Sequence, residues 1–240
     1  MRWWPESGAV EAAFAAPFAL AVFGRAPIAG TTKTRLIPAL GADGAARLYA
    51  GFLADALALA RRAHLAGLAE VTLWTAQSPD EPPLLAVAGA SEVRRRPQAE
   101  GDLGLRMSVA LSAGVASHGR ALVLGSDAPT LPFSLVQAAC AALERADLVF
   151  CPAADGGYVL IGARVVVPPV LFDGARFSTP HALADTLAGA ARLGFSIART
   201  NPWYDVDTPD DLRTLRTHLL LAPAAAPFTA QALAALGGGS

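Results

Sequence analysis

Ala19-Leu20-Ala21-Val22-Phe23 runs directly into Gly24-Arg25-Ala26-Pro27-Ile28-Ala29-Gly30-Thr31-Thr32-Lys33-Thr34-Arg35-Leu36. Apolar residues in unbroken succession read as a strand buried on both faces, and such strands belong to parallel sheets with helices on either side. The loop that ends the strand gathers glycine, hydroxyls and cations at the place where open α/β sheets take their ligands, beyond the carboxyl ends of the strands. Backbone N–H groups freed by glycine, a lysine and a guanidinium suit a pyrophosphate, so Gly24, Arg25, Gly30, Lys33 and Arg35 are candidate phosphate-binding residues. The loop is not a P-loop, because that motif places lysine directly after its second glycine, and here Thr31 and Thr32 intervene between Gly30 and Lys33. No Gly-x-Gly-x-x-Gly opens the first helix either.

Outward from this loop, strands and helices alternate. Asp43 can cap a helix whose Leu48, Tyr49, Phe52, Ala56 and Leu59 fall on one face. Residues 71–76 read as a strand, 81–88 as a short helix, 92–96 as a strand, 103–115 as a helix and 121–125 as another continuous apolar strand. Pro132 suits the first turn of a helix reaching about Arg145. Strands at 148–151 and 158–163 flank the turn Ala154-Asp155-Gly156-Gly157 and would add an antiparallel element. A loop over 165–180, a helix at 182–192 and a strand at 195–200 follow, and then Thr208 as cap with Pro209 opening a helix to Leu221. The expectation is α/β: one Rossmann-like domain, a mostly parallel mixed sheet with helices on both faces.

With 240 residues, 53% hydrophobic and 16% charged, the chain carries ample material for one large core. Lys and Arg total 19 against 20 Asp and Glu, a net charge of −1, so no global positive field exists to hold nucleic acid. No uninterrupted apolar run reaches the roughly 18 residues of a transmembrane helix. Residues 1–18 read as an N-terminal extension without the features of a signal peptide, one that could form a short docking helix. Residues 19–221 form the domain, and 222–240, rich in alanine and proline and ending Gly-Gly-Gly-Ser, read as a flexible tail. Cys140 and Cys151 have neither zinc nor disulfide spacing, as expected of buried thiols in a reducing cytoplasm.

Three further places carry candidate chemistry. Asp127, in Leu124-Gly125-Ser126-Asp127-Ala128-Pro129, stands at the mouth of a buried strand, placed for a hard divalent cation or for an Asx turn ahead of Pro129. Asp205 and Asp207 point to one side of an extended segment; Asp207, just before a helix, reads equally as a ligand or a cap. Asp155, with Gly156 and Gly157, is either a turn residue or part of a backbone able to approach a ligand closely. Ser126 lacks the Gly-x-Ser-x-Gly elbow, and His64, His118 and His218 show no partners. His181, beside Ser178-Thr179-Pro180, is closer to interest.

Taken together, Phe23–Gly30 with Lys33-Thr34-Arg35-Leu36, Leu124–Leu131, Pro152–Gly162 and Asp205–Leu212 resemble a bacterial family, the glycosyltransferase-A-type domain family of unknown function 2064, related to nucleotide-diphospho-sugar transferases. The resemblance spans about residues 19–221. It implies a GT-A-type fold, a nucleotide on the first loop, and Mg²⁺ or Mn²⁺ near the strand-end aspartate. Carried over by position, Lys33 contacts phosphate, Asp127 is the first metal ligand, and Asp207 completes the metal site. Asp155 is then the candidate catalytic acceptor base beside Asp127, and Gly156, Gly157, Tyr158, Ser178 and Thr179 the acceptor side. The chain departs from familiar glycosyltransferases in that Ala128-Pro129 follows Asp127, so no Asp-x-Asp motif exists. The first loop likewise lacks the compact Gly-x-Gly-x-Arg of related nucleotidyltransferases. The implied activity is sugar transfer from a nucleotide-activated donor to a small acceptor in the cytoplasm. The alternatives are nucleotidyl transfer from a triphosphate to a phosphorylated or carboxylated metabolite, and an inactive nucleotide-binding module.

Overall fold

A computed structural model describes residues 17–237. Seven strands, β1 (Phe18–Gly24), β2 (Ala69–Thr75), β3 (Arg94–Pro97), β4 (Ala121–Gly125), β5 (Leu148–Pro152), β6 (Tyr158–Ala163) and β7 (Ile197–Arg199), form one sheet in the order β3-β2-β1-β4-β6-β5-β7. All neighbours are parallel except β6, which runs antiparallel between β4 and β5, so the expected mixed sheet is present. The helices are α1 (Ile37–Leu65), α2 (Pro82–Leu85), α3 (Leu103–His118), α4 (Phe133–Ala142), α5 (Ala182–Arg192), α6 (Pro209–Leu221) and α7 (Pro227–Gly237).

The strand pattern explains the double-sided packing. On β1, Leu20 and Val22 join the core under α1 and α4, with Leu53, Leu57, Val136 and Cys140, while Ala21 and Phe23 join the core under α3, with Met107 and Leu111. Both faces are dry, which is why the strand reads as an unbroken apolar run. Gly114 of α3 lies where a side chain would meet Ala19 and Ala121, so the helix rests closely on β1 and β4. A third core gathers Leu48 and Phe52 of α1, Leu212, Leu215 and Leu219 of α6, and Val206, against Leu233 and Leu236 of α7.

Several boundaries differ from the sequence expectation. Helical geometry begins at Ile37, is broken at Gly41 (φ +70°) and then runs unbroken past Asp43 to Leu65. The expected helix at 81–88 contracts to one turn, and the 165–180 loop contains a 3-10 turn, Pro169–Phe172, whose Leu171 and Phe172 are buried. The cap of α6 is as read: Thr208 accepts from Asp211 N, and Asp211 reaches back to the Thr208 N–H. The tail is the substantive correction. Residues 227–237 are not loose but form α7, and the buried Asp55 of α1 accepts hydrogen bonds from Phe228 N (3.1 Å) and Thr229 N (2.8 Å). A carboxylate supplied by one helix thus caps another, satisfying N–H groups that a helix start leaves without partners. The docking helix considered for the N-terminal extension lies outside the described residues. Among the described residues no helix is long and apolar enough to cross a membrane.

Candidate functional site

The carboxyl ends of β1, β2 and β4 lie level, with Gly24 opposite Thr75 and Phe23 opposite Gly125, and a cleft of about 500 Å³ opens over them. It sits between β1 and β4, where successive crossovers run to opposite sides, the position that open α/β sheets use for ligands. The turn before β6 faces the same edge because that strand runs the other way.

Loop 25–36 is braced from within and from two neighbours. Thr32, buried, donates to Ala26 O (3.1 Å) and accepts from Ile28 N (3.2 Å), while Gln77 Oε1 accepts from Ala26 N at 3.0 Å. The Tyr49 hydroxyl accepts from Arg25 N at 3.0 Å and shares a 2.8 Å hydrogen bond with Ser126 Oγ. One buried phenol from α1 therefore locks the phosphate-candidate loop to the strand end that carries Asp127. Burial, and after it the charge of Asp127, pushes the Tyr49 phenol above its ordinary value, so it stays a neutral hydrogen-bonding post.

Asp127, at the mouth of β4, and Asp207, just before α6, face one common point. Val206 N donates to Asp127 O at 2.9 Å, which pins the 203–207 segment against the end of β4. That segment is further held by a relay: Trp203 Nε1 donates to Thr130 Oγ1 (3.2 Å), Thr130 Oγ1 to the Tyr204 hydroxyl (3.0 Å), and that hydroxyl bonds His218 Nδ1 (2.7 Å). His218 thus has a partner after all, as do His118, beside Glu70 at 3.2 Å, and His64, beside Ala69 O at 3.1 Å. All three lie away from the cleft, and so does His181.

Between the two aspartates sits Lys33. Its Nζ lies 2.6 Å from Asp127 Oδ1, 2.6 Å from Asp207 Oδ1 and 2.8 Å from Val206 O, with the side chain only 6% exposed. An ammonium carries three protons, and each of the three faces one of these oxygens. Burial works against the charge, but Asp127 and Asp207 outweigh it and hold the ammonium above its ordinary value. The backbone is left-handed at Lys33 (φ +50°, ψ +47°), a conformation that costs a non-glycine residue about 1–2 kcal/mol and is tolerated where the surroundings fix it. Only one other non-glycine among the described residues has positive φ, Ser178 at +60°, and it lines the same cleft. In this arrangement Lys33 is a counter-ion to the carboxylate pair, not a free cation of the loop, so a phosphate would reach its ammonium only by drawing it out of that seat. Neither Asp127 nor Asp207 caps a helix: Thr208 caps α6, and the two carboxylates turn to Lys33, with Arg35 Nη1 at 4.0 Å from Asp207 Oδ2.

Asp205 and Asp155 complete a concentration of carboxylates. Asp205 is pushed up to about 6 by burial and by the charges of Asp155 and Asp207. Asp155 Oδ1 accepts from Gly157 N at 2.8 Å, so the turn role is real, and the residue lines the cleft as well. Of the candidates read from sequence, Gly24, Arg25, Lys33, Arg35, Asp127, Asp155, Gly157, Tyr158, Ser178 and Asp207 line the cleft; Gly30, Gly156 and Thr179 do not. Gly156 is required structurally, because at φ +89° a side chain would run into the Pro180 carbonyl. Thr179 donates to Arg176 O and serves the turn before α5. The cleft also contains Tyr49, Gln98 and Arg106, which the sequence pattern did not single out. Arg106 is held by Gly101 O (2.9 Å) and Gln98 Oε1 (3.4 Å). Gln98 follows β3 directly, so the strand-end rule that singled out Asp127 pointed to it equally.

Comparison with known proteins gives a consistent picture. Over 92% of this chain and 96% of the other, the fold matches a candidate nucleotide-diphospho-sugar transferase from Desulfovibrio desulfuricans G20 at 29% identity and a TM-score of 0.78. CMP:2-keto-3-deoxy-manno-octonic acid synthetase in complex with CTP matches at 13% identity and a TM-score of 0.53, covering 85% of this chain and 99% of that one. The 4-diphosphocytidyl-2C-methyl-D-erythritol synthase of Anaerococcus prevotii DSM 20548 matches at 12% identity and 0.55, covering 85% and 96%. At those identities the last two speak for the fold alone. No curated protein matches the chain in sequence. Residues 59–179, about half of the chain, match the model of the family described as "Uncharacterized protein conserved in bacteria (DUF2064)", and the chain belongs to that family.

Proposed function

We propose that the chain is a cytoplasmic transferase that moves a sugar from a nucleotide-activated donor to a small acceptor, with the donor's diphosphate against the Gly24–Arg35 loop. The observation that carries this reading is the convergence of Arg25, Arg35, Asp127, Asp155, Asp205 and Asp207 on one cleft at the carboxyl edge of the sheet. Transfers of this kind ask the protein chiefly to position reactants and stabilise charge developing on phosphate, and a braced loop with two guanidiniums supplies both. Asp155 has Oδ1 tied to Gly157 N and Oδ2 without a hydrogen-bond partner among the described residues, which suits it to accept the proton of an acceptor hydroxyl. Gly157, Tyr158 and Ser178 flank that carboxylate and form the acceptor side. The similarity to the Desulfovibrio protein favours sugar transfer over nucleotidyl transfer; the likeness in fold to a CTP-bound synthetase keeps the latter as the second reading.

A divalent cation fits the donor set. The ligands on offer are hard oxygens, and Lys33 already marks the point between Asp127 and Asp207 where positive charge is stabilised. Among the described residues no group of three or more His, Cys, Asp or Glu forms a cage. Two carboxylates suit Mg²⁺ or Mn²⁺ arriving with a nucleotide, whose phosphates and waters fill the rest of the shell. When bound, such an ion would neutralise charge developing on the leaving diphosphate. Asp127 and Asp207 would hold it.

The deciding assay incubates the protein and Mg²⁺ with nucleoside triphosphates and sugar nucleotides in the presence of small hydroxyl-, phosphate- and carboxylate-bearing acceptors. Release of a nucleoside diphosphate is the expected result. Pyrophosphate release would move the assignment to nucleotidyl transfer, and binding without turnover would leave a nucleotide-binding module.

A further inference from the structure

Lys33 is not where a phosphate-binding lysine would be left free to act. Its ammonium is enclosed by one oxygen from each of the two carboxylates that would hold the ion and by the Val206 carbonyl, and the Phe52 ring lies 5.5 Å from the same nitrogen. The seat is built rather than incidental. The residue that enters it adopts a left-handed backbone to do so, Val206 N bonds back to Asp127 O so that both carboxylates are held in register, and the side chain is almost wholly removed from water.

We infer that Lys33 is the resident cation of the Asp127–Asp207 pair and competes with the divalent ion for it, so that the nucleotide-free protein resists the metal and takes it up only together with an anionic phosphate. The inference rests on the metal-dependent reading above but is tested apart from transfer. A unit positive charge a few ångströms from both ligands opposes an incoming dication; the ammonium is buried, while the carboxylates, 46% and 39% exposed, leave the ion open to water that screens part of that repulsion. The same ammonium can leave only if it gains another anionic partner, and a pyrophosphate at the mouth of its own loop is such a partner. Loading of ion and nucleotide then becomes mutually dependent, each raising the affinity for the other by the same factor. This deepens the role of Lys33 beyond either a phosphate contact or a fixed ion pair.

The test reads metal binding, not turnover. In Mn²⁺ titrations followed by the electron-spin resonance of free Mn²⁺, without nucleotide, the wild-type protein should bind weakly and Lys33→Met should bind at least about tenfold more tightly, because the variant frees both inner oxygens while keeping the length of the side chain. Lys33→Met/Asp127→Asn should lose that gain, which places the ion on the pair. Equal or weaker Mn²⁺ binding by Lys33→Met overturns the inference, as does a gain that survives in the double variant. Should the single variant not fold, the wild-type protein decides by ¹⁵N resonance of the Lys33 ammonium. Mg²⁺ alone should leave that signal in place, and Mg²⁺ with inorganic pyrophosphate should displace it. Displacement by Mg²⁺ alone, or none with both, contradicts the competition. A tightly binding Lys33→Met in a protein that transfers no sugar would refute the proposed function and leave this inference standing.

Discussion

At the residue scale, the cleft is organised by two side chains whose types were visible in the sequence but whose roles were not. Lys33 was legible as part of a cationic loop, yet nothing in Gly30-Thr31-Thr32-Lys33 says that the backbone turns left-handed there and sends the ammonium inward. Spacing along a chain does not encode which carboxylates lie across the fold. Tyr49 is the clearer case. At helical spacing with Leu48 and Phe52 it read as one more core residue, and its ring is indeed buried, but its hydroxyl joins Arg25 to Ser126. Tyr49→Phe should cost about 1–3 kcal/mol of stability, the range for leaving buried partners of a lost hydrogen bond unsatisfied, and should weaken nucleotide binding by loosening loop 25–36. Urea unfolding and titration calorimetry check both; unchanged nucleotide affinity would mean the loop is held by Thr32 and Gln77 without it.

At the element scale, strands and the α6 cap were readable because double-sided burial and the Thr208-Pro209 start leave local signatures, whereas α7, with Pro227 at its first position but Ala226 in place of a capping side chain before it, left a weaker one. Its alanine-rich composition reads as a loose tail, and what makes it a packed helix is remote: Asp55, in Leu53-Ala54-Asp55-Ala56, an acid set within an apolar helix face. Asp55→Ala should remove about 1–3 kcal/mol by orphaning two N–H groups at the start of α7. Hydrogen exchange should then accelerate over 227–237 first; uniform protection there would contradict the capping role. The segment between the Pro169–Phe172 turn and α5 is held in a different way. Arg176 grips Asp185 through Nε (2.8 Å), Nη2 (2.9 Å) and its backbone N (3.0 Å), fixing the approach of Phe177 and Ser178 to the cleft. The Arg176 hydrogen bonds hold the Asp185 carboxyl down to about 2 from its ordinary 3.8. A carboxyl lowered in the folded state contributes above its unfolded value, and the contribution fades as pH falls from about 4 through about 2. A ¹³C carboxyl titration of Asp185 should therefore have its midpoint near 2 and return towards 4 in Arg176→Ala. A wild-type midpoint near 4 would show that the grip does not form.

At the scale of the whole molecule, the site is a product of topology. Asp127 ends β4, Asp155 sits in the β5–β6 turn, Asp205 and Asp207 follow β7, and the cationic loop ends β1. Only the sheet order brings these to one edge, and the antiparallel β6 puts the 153–157 turn among carboxyl-terminal loops. The loop, Asp127 and the Asp205–Asp207 segment were recognisable because each stands at a strand end or just before a helix start. Arg106, one turn into α3, was not, because a helix surface carries arginine without consequence far more often than with it.

The central claim is that this cleft seats the diphosphate of a nucleotide-activated sugar, and a crystal structure of the protein with Mn²⁺ and the tightest-binding sugar nucleotide of the assay panel tests it most directly. The account predicts the diphosphate within hydrogen-bond distance of backbone N–H groups of loop 24–35 and of Arg25 or Arg35, with Asp127 and Asp207 turned to the ion beside it. A diphosphate bound instead at the opposite edge of the sheet, against Arg94 and Arg96, or Asp127 remote from every phosphate, would contradict it.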